Sequence, residues 1–295
     1  MKRPLLIFIV LAFGLSWAAV LPVWFDGGLS SPLMAVSPSL MMCTPAVGVL
    51  GVWAVSRTPF REWARQTGLT LGERKGRTGA LVLAAWLGVP LLVLLAMGLS
   101  AAIGLVSLDL DQFSLLRTVL QARGLQVPAD LGTAAVLQIV VGIVAGPVVN
   151  AILTFGEEWG WRGWLLPRLV STNGMLAGLL LSGAIWGVWH APLTLLGYNY
   201  PRLGSWAALY FIGFCVLAGV LIGWLRLRTG SIWPAVVAHG SLNAINAQVL
   251  LLGDAAAPPN EVLVGLTGLV GWVLLALLGA ALLRLYPVRR PQPAP

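Results

Sequence analysis

Apolar residues fill most of the chain in long blocks that short polar segments separate. A membrane helix needs about 20 consecutive apolar residues, and the blocks cover roughly 5–25, 36–55, 79–106, 133–155 running on to about 170, 175–196, 206–225, 231–252 and 262–283. The pattern predicts an all-α polytopic membrane protein with about eight transmembrane helices. Residues 1–286 are predicted to form a single integral membrane domain, and the Pro-rich segment 287–295 is predicted to be a disordered tail.

The block from 133 to 170 is too long for one straight span. About 38 helical residues would measure about 57 Å, whereas the hydrocarbon core is about 30 Å thick. Proline removes a backbone donor and clashes with the preceding turn, so Gly146-Pro147 is the predicted kink. Asn173-Gly174 is the predicted turn into the next helix. Glu157 and His190 lie equally far from that turn, so an antiparallel helix pair would bring them to the same depth.

Composition excludes a water-soluble fold. Hydrophobic residues make up 58% of the chain and charged residues only 9%, against about 25% charged in a typical soluble domain. The net charge of +8 would suit a nucleic-acid binder, but membrane orientation explains it better, because cytoplasmic loops collect Lys and Arg. With both termini cytoplasmic, only Arg117, Arg123 and Arg202 of the Lys and Arg residues fall outside. We therefore expect the lipid bilayer, and no nucleic acid, as a partner.

Two further expectations concern the location of the chain. The basic loop 56–78 is predicted to be a solvated face near anionic lipid. A composition rich in Ala, Gly, Leu and Trp predicts a bacterial plasma membrane. The first span, which follows Lys2-Arg3 and has small residues at Ala18 and Ala19, also fits a cleaved signal peptide, although the charge distribution is best explained if that helix is retained.

Ionisable residues within the predicted spans are the candidates for chemistry. Each costs about 2.5–3.5 kcal/mol on insertion scales, so an intramembrane ionisable residue indicates function by default. Nearly all of them fall in three short segments, which are 157–162, 186–190 and 239–243. Both histidines of the chain lie in these segments. This coincidence favours a functional cluster over isolated core residues.

Spacing suggests roles for the charged residues of the first segment. Glu158 and Arg162 stand four apart with the acid toward the amino end, which favours a helical ion pair. That pair leaves Glu157 for chemistry. Desolvation raises the pKa of a carboxyl group and a nearby cation lowers it. Such opposing effects bring the pKa of a general base near neutrality. In the alternative interpretation, both glutamates are structural partners of Arg162.

The other two segments supply imidazole, amide and indole groups. His239 and Asn243 are also four apart, so they offer two hydrogen-bond donors from one helix face, as an oxyanion requires. An Asn in a membrane helix serves equally well as an interhelical hydrogen-bonding residue. Trp186 stands one turn before His190 and can hold the imidazole ring and shield it from lipid.

The three segments together resemble the CPBP family of intramembrane proteases, which includes type II CAAX prenyl endopeptidases and the bacterial Abi group. The family pattern is Glu-Glu-x-x-x-Arg, then Phe-x-x-x-His, then His-x-x-x-Asn on successive membrane segments. The first and third motifs match fully, whereas Trp186 stands where the family usually has Phe. The resemblance is close over 155–245, within a family-like core of about 133–252.

The resemblance implies peptide-bond hydrolysis within the membrane. Glu157 and His190 would activate a water molecule, His239 and Asn243 would stabilise the oxyanion, and Arg162 would fix Glu158. The implied substrate is a hydrophobic or membrane-anchored peptide or protein.

Metal dependence and two other functions remain alternatives at this point. A metal-free glutamic mechanism without a cofactor is favoured, but zinc remains possible, because two Glu and two His form a plausible ligand set: Glu157, Glu158, His190 and His239. A proton-coupled transporter could use the same residues as a relay, although repeated halves, common in carriers, are absent from the sequence. A non-catalytic membrane scaffold is the third possibility.

Overall fold

Long helices follow the apolar blocks in the computed structural model, which describes residues 2–288. The predicted tail therefore lies outside the described residues except for its first two positions. Within residues 2–288 the structure contains no β-strand, and the pairing of Leu108 with Gly253 is an isolated bridge. The helices are α1 (Lys2–Phe25), α2 (Ser37–Ser56), α3 (Phe60–Gln66), α4 (Lys75–Ala102), α5 (Ser114–Ala122), α6 (Leu131–Val144), α7 (Gly146–Glu158), α8 (Leu166–Asn173), α9 (Met175–Trp189), α10 (Ala191–Thr194), α11 (Trp206–Thr229), α12 (Trp233–Leu250) and α13 (Leu269–Leu285).

The all-helical fold class is confirmed, while the count of eight spans is not. Within the described residues, four helices are long and apolar enough to cross a membrane, and a bent pair raises the number to five. Two further apolar helices, α9 and α13, have 15 and 17 residues. The four long candidates are Arg3–Phe25, Ser37–Ser56, Lys75–Ala102 and Trp206–Thr229.

The bent pair confirms the predicted break in the long block. Leu131–Val144 and Gly146–Asn173 meet at an angle of 49°. The break falls at Ala145, directly before the Gly146-Pro147 pair that predicted it. On the other side of the break, the side-chain amide of Asn150 donates to the Gly146 carbonyl in the first turn of α7, at 2.9 Å.

The described chain divides into two compact units. The first contains residues 2–82, 151–236 and 278–288, and the second contains Leu83–Asn150 and Val237–Leu277. Helices α4, α7, α12 and α13 each contribute residues to both units.

Close helix packing organises the first unit. Helix α1 lies against α2, where the Thr44 hydroxyl donates to the Ala12 carbonyl, at 2.9 Å. Helix α9 lies directly against α11, since a Cβ atom at Gly187 would come within 2.6 Å of the Ile212 Cα atom. Small residues allow such close backbone approach in membrane helices. This packing fixes the helix that carries Trp186.

Two contacts organise the second unit. Phe113 and Leu116 pack against Leu131 and other apolar side chains at the start of α6. The Trp86 indole donates to the Ile143 carbonyl, at 2.7 Å, and so ties α4 to the end of α6.

Candidate active site

The paired glutamates lie where α7 changes into a wider helical turn. Residues Trp159–Leu165 form a π-helical segment, and every one of them is buried. Such segments are rare, and they frequently occur at functional sites. The segment lies directly on α2, since a Cβ atom at Gly160 would collide with Pro45. The sequence therefore places its charged residues in a closely packed protein interior.

Glu158 and Arg162 form the predicted ion pair. Arg162 Nη1 donates to Glu158 Oε1, at 2.8 Å, and both side chains are no more than 1% exposed. A charged pair in such surroundings is stabilised by short, charge-assisted hydrogen bonding. The Arg162 guanidinium also lies over the Trp186 ring, 4.2 Å from its centroid. The pair thus joins the π-helical segment to α9.

Glu157 has a different partner from its neighbour. It is 1% exposed, and its Oε2 atom accepts a hydrogen bond from the Trp186 indole, at 2.7 Å. The two arms of the predicted hairpin therefore meet at this point. The alternative in which both glutamates are structural partners of Arg162 stays a prediction for Glu157, and the indole of Trp186 is one partner of its carboxylate.

His190 caps the end of α9, directly after Trp189. Its Nδ1 atom lies 2.9 Å from the Trp186 carbonyl. A neutral ring that donates from Nδ1 to this carbonyl carries its lone pair on Nε2, and Nε2 is then the atom that can accept a proton. The rings of Trp186, Trp189 and Phe211 all contact the imidazole edge to face. These contacts set its orientation.

Trp186 is therefore the central residue of this cluster. Its indole N–H binds Glu157, its ring face lies under Arg162, and its carbonyl faces His190. The four-residue spacing of Trp186 and His190 predicted a ring that holds and shields the imidazole, and the two ring centroids lie 5.5 Å apart. The donor role of Trp186 toward Glu157 was not predicted. The sequence did contain a sign of this role. Trp186, whose indole N–H is a donor without an acceptor, stands where the family usually has Phe.

His239 and Asn243 belong to α12 in the second unit. His239 is buried and Asn243 is exposed, one helical turn apart. A Cβ atom at Gly146 would collide with Ala244, so the start of α7 packs directly on this part of α12. Near His239, the Ser241 hydroxyl is buried without a hydrogen-bond partner among the described residues. The predicted roles of His239 and Asn243 remain predictions.

The four possible zinc ligands do not fit a metal site well. One of them, Glu158, is held by Arg162. Among residues 2–288, no three His, Cys, Asp or Glu side chains are grouped closely enough to hold a metal ion. We therefore derive no catalytic step through a metal.

Residues 132–245 match the family model of the type II CAAX prenyl endopeptidase Rce1-like proteins. The resemblance inferred from the three motifs is confirmed. The matched range contains all six candidate residues together with Trp186. A curated relative, CAAX prenyl protease 2 of Methanococcus maripaludis, is 30% identical over 101 residues. That alignment covers 32% of this chain and 37% of the relative, so the chain spans well under half of the relative that it matches.

The type II CAAX endopeptidase-like segment coincides with the helices that carry the site. It begins at α6, includes the π-helical segment and α9, and ends within α12. Together with the apolar helices, the match identifies an integral membrane protein that resembles the CAAX proteases. The type of membrane and the orientation of the termini remain predictions.

Proposed function

We propose that this protein is an intramembrane endopeptidase that hydrolyses a peptide bond of a membrane-associated protein or peptide. The observation that carries the proposal is the buried Glu157 carboxylate, bound by the Trp186 indole and backed by the Glu158–Arg162 pair. The cluster lies within a segment that matches a family of endopeptidases. A buried carboxylate that a membrane protein retains at such a desolvation cost indicates function rather than packing.

In the proposed reaction, Glu157 and His190 act as the base. This pair of residues takes one proton from a water molecule. The water oxygen bonds to the carbonyl carbon of the substrate, and the π electrons of the carbonyl group move to the carbonyl oxygen. When the tetrahedral intermediate collapses, the C–N bond breaks, and the abstracted proton passes to the leaving nitrogen. General acid–base catalysis of this kind contributes about 10²–10⁴-fold to a rate.

The remaining residues hold charge and geometry. By the resemblance, His239 and Asn243 donate hydrogen bonds to the oxyanion, a kind of contribution worth about 10²–10³-fold per donor. Arg162 neutralises Glu158, so only one of two adjacent carboxylates is assigned to proton transfer. Trp186 fixes the rotamer of Glu157 through its N–H. The proposed mechanism uses no metal ion.

The proposed substrate is a membrane-anchored peptide. The relative from Methanococcus maripaludis is named a CAAX prenyl protease, so a farnesylated carboxyl-terminal CAAX peptide is the first substrate to test. Its unprenylated counterpart and hydrophobic leader peptides complete the panel, because any of these can reach a site among membrane helices.

Cleavage of this panel by the purified, detergent-solubilised full chain tests the proposal. We compare the parent with Glu157→Ala and with Glu62→Ala, which removes an exposed carboxylate on α3. We expect Glu157→Ala to lower the cleavage rate by about 10²-fold or more and Glu62→Ala to leave it unchanged. Full cleavage by a correctly inserted Glu157→Ala protein would contradict the proposal.

The same assay separates the mechanisms when it is repeated with chelator and with added zinc. Glutamate-dependent cleavage that survives exhaustive chelation supports the metal-free route. Cleavage that is lost with chelator and restored by zinc would make these residues metal ligands. If a folded protein cleaves none of the panel, the carrier and scaffold alternatives gain support.

A further inference from the structure

A basic cavity opens in the first unit, away from the residues assigned to catalysis. Its volume is about 860 Å³, and its charged lining residues are Arg65, Glu73, Arg74, Arg77 and Arg228. This volume lies within the range of about 300–1,000 Å³ that small-molecule sites occupy. Four guanidinium groups from three separate chain segments thus converge on one space with a single carboxylate.

Within residues 2–288, the charge of these arginines is not offset by an ion pair. Arg228 Nη1 donates to the Pro287 carbonyl, at 3.4 Å, which satisfies a donor without offsetting the charge. Arg77 is repelled by Arg74 and Arg228. Like charges held together in this way favour the binding of an external anion.

The wall of the cavity is firmly built. Gly72 has φ +69°, and a Cβ atom there would collide with the Thr229 carbonyl oxygen, so the loop lies directly on the end of α11. The same loop accepts a hydrogen bond at the Gly68 carbonyl from the Ile232 amide, at 2.9 Å, and one at the Leu71 carbonyl from the Thr78 hydroxyl, at 2.7 Å. A cavity anchored in this way needs little ordering when a ligand binds.

The surroundings indicate the source of the anion. Two candidate membrane spans border the cavity, since α4 begins at Lys75 and α11 ends at Thr229. Leu227 and Val288 add apolar lining, and Leu285, close by in the sequence, is 67% exposed. Arginine binds phosphate oxygens in a bidentate manner. We propose that this cavity binds the phosphate group of an anionic lipid headgroup, with the acyl chains along the adjacent apolar surface.

Lipid binding at this site does not require the proposed peptidase activity. One structural link joins the two regions, because the Thr67 hydroxyl accepts a hydrogen bond from the Trp159 indole, at 2.9 Å. Trp159 follows Glu158 directly in the chain. The loop that lines the cavity is therefore continuous with a residue that contacts the π-helical segment.

Binding of short-chain lipids to the full chain in neutral detergent tests the proposal. Dioctanoyl phosphatidylglycerol is the probe, dioctanoyl phosphatidylcholine is the zwitterionic control, and inorganic phosphate is the soluble alternative. Native mass spectrometry and thermal shift report binding. We expect phosphatidylglycerol to bind at least about tenfold more tightly than phosphatidylcholine, because each basic side chain near an anionic headgroup contributes about fivefold. We also expect this preference to weaken as salt is added.

Two double variants with equal loss of charge locate the site. Arg77→Gln with Arg228→Gln removes two lining residues, and we expect it to lower the affinity for phosphatidylglycerol by about 25-fold. Arg61→Gln with Lys75→Gln removes two exposed charges near the cavity that do not line it, and we expect a change within about twofold. Arg74→Glu, at an exposed position, reverses one lining charge without disturbing the packed wall.

Several outcomes would overturn the proposal. Equal binding of the two lipids would exclude anion recognition. Equal losses in the two double variants would show a diffuse electrostatic effect rather than a site, and unchanged affinity in folded Arg74→Glu would have the same meaning. Inorganic phosphate that binds as tightly as the lipid would exclude the lipid as the source of the anion.

Discussion

The first unit contains charged residues in two opposite environments. Around the π-helical segment, Glu158 and Arg162 are buried, paired and covered by the ring of Trp186. Around the basic cavity, four arginines share one space without an ion pair among the described residues. Both groups lie in a chain whose charged residues make up only 9%. In the first arrangement the protein itself balances the charge. In the second, we propose that an external anion balances it.

This contrast shows how environment assigns roles to side chains of the same type. A buried charge without a partner destabilises the fold strongly, so Arg162 is held by Glu158. An exposed guanidinium is solvated and costs the fold little, so Arg74 can remain available for a ligand. The buried pair therefore serves local geometry, and the exposed group serves recognition.

The largest expected effect comes from breaking the buried pair. Glu158→Gln leaves Arg162 charged and buried, and removal of one partner of such a pair costs about 3–5 kcal/mol. We expect a large loss of thermal stability in detergent together with loss of cleavage. The double variant Glu158→Gln with Arg162→Met removes both charges, and we expect it to be more stable than the single variant. A double variant less stable than the single one would contradict this account.

The next effect isolates the N–H group of Trp186. Trp186→Phe keeps an aromatic ring beside Arg162 but removes the donor to Glu157, and a hydrogen bond to a charged group is worth about 1.5–3 kcal/mol. We expect the cleavage rate to fall by about 10- to 100-fold. Trp224→Phe is the matched control, because it removes the hydrogen bond from a buried indole of α11 to the Tyr286 carbonyl and touches none of the candidate site residues. Equal rate losses in the two variants would reduce Trp186 to a packing residue.

A smaller effect is expected at the basic cavity. Arg74→Gln in neutral detergent without anionic lipid should change the free energy of unfolding by no more than about 0.5 kcal/mol. The direction should be slightly stabilising, since repulsion of Arg77 is relieved. Thermal unfolding of the parent and the variant measures it. A loss as large as that of Glu158→Gln would mean that the arginine is structural and would remove the contrast.

The smallest effect concerns a partly exposed carboxylate in the second unit. The Ser114 hydroxyl and the amides of Gln112 and Ser114 lower the pKa of Asp109 from 3.8 to about 2. A carboxyl group whose pKa is lower in the folded state stabilises the fold at pH values above its unfolded-state pKa. This contribution is lost as the pH falls through the folded-state pKa. Between pH 4 and pH 2 the parent should therefore lose more thermal stability than Asp109→Asn. Parallel curves for the two proteins would contradict the prediction.

Local spacing predicted the parts of the fold and site that depend on a few neighbouring residues. The break beside Gly146-Pro147 follows from the chemistry of proline, and the pairing of Glu158 with Arg162 follows from helical periodicity. Span counting was less successful, because α9 has 15 residues and ends at Trp189 rather than near 196. The short helix α10, which begins at Ala191, follows it.

Features that depend on distant chain segments were missed. The four-residue spacing of Glu158 and Arg162 is that of an ordinary α-helix, so the sequence does not indicate the wider π-helical turn. The close contact of this segment with Pro45 depends on the packing of α2 against it. The Trp186–Glu157 bond joins residues 29 positions apart. The basic cavity combines Arg65 on α3 with Arg228 at the end of α11. No periodic pattern encodes such meetings.

Because residues 159–165 form a π-helical segment, the number of residues in this stretch matters for function as well as their identity. A wider turn is the geometric equivalent of one residue inserted into an α-helix. Deletion of a single residue between 159 and 165 would let the chain return to regular α-helical winding. The glutamates would then be rotated relative to α8, and the indole donor on α9 would face a different side chain. We therefore expect a change in the length of this segment to disrupt the site even when its motif residues are kept.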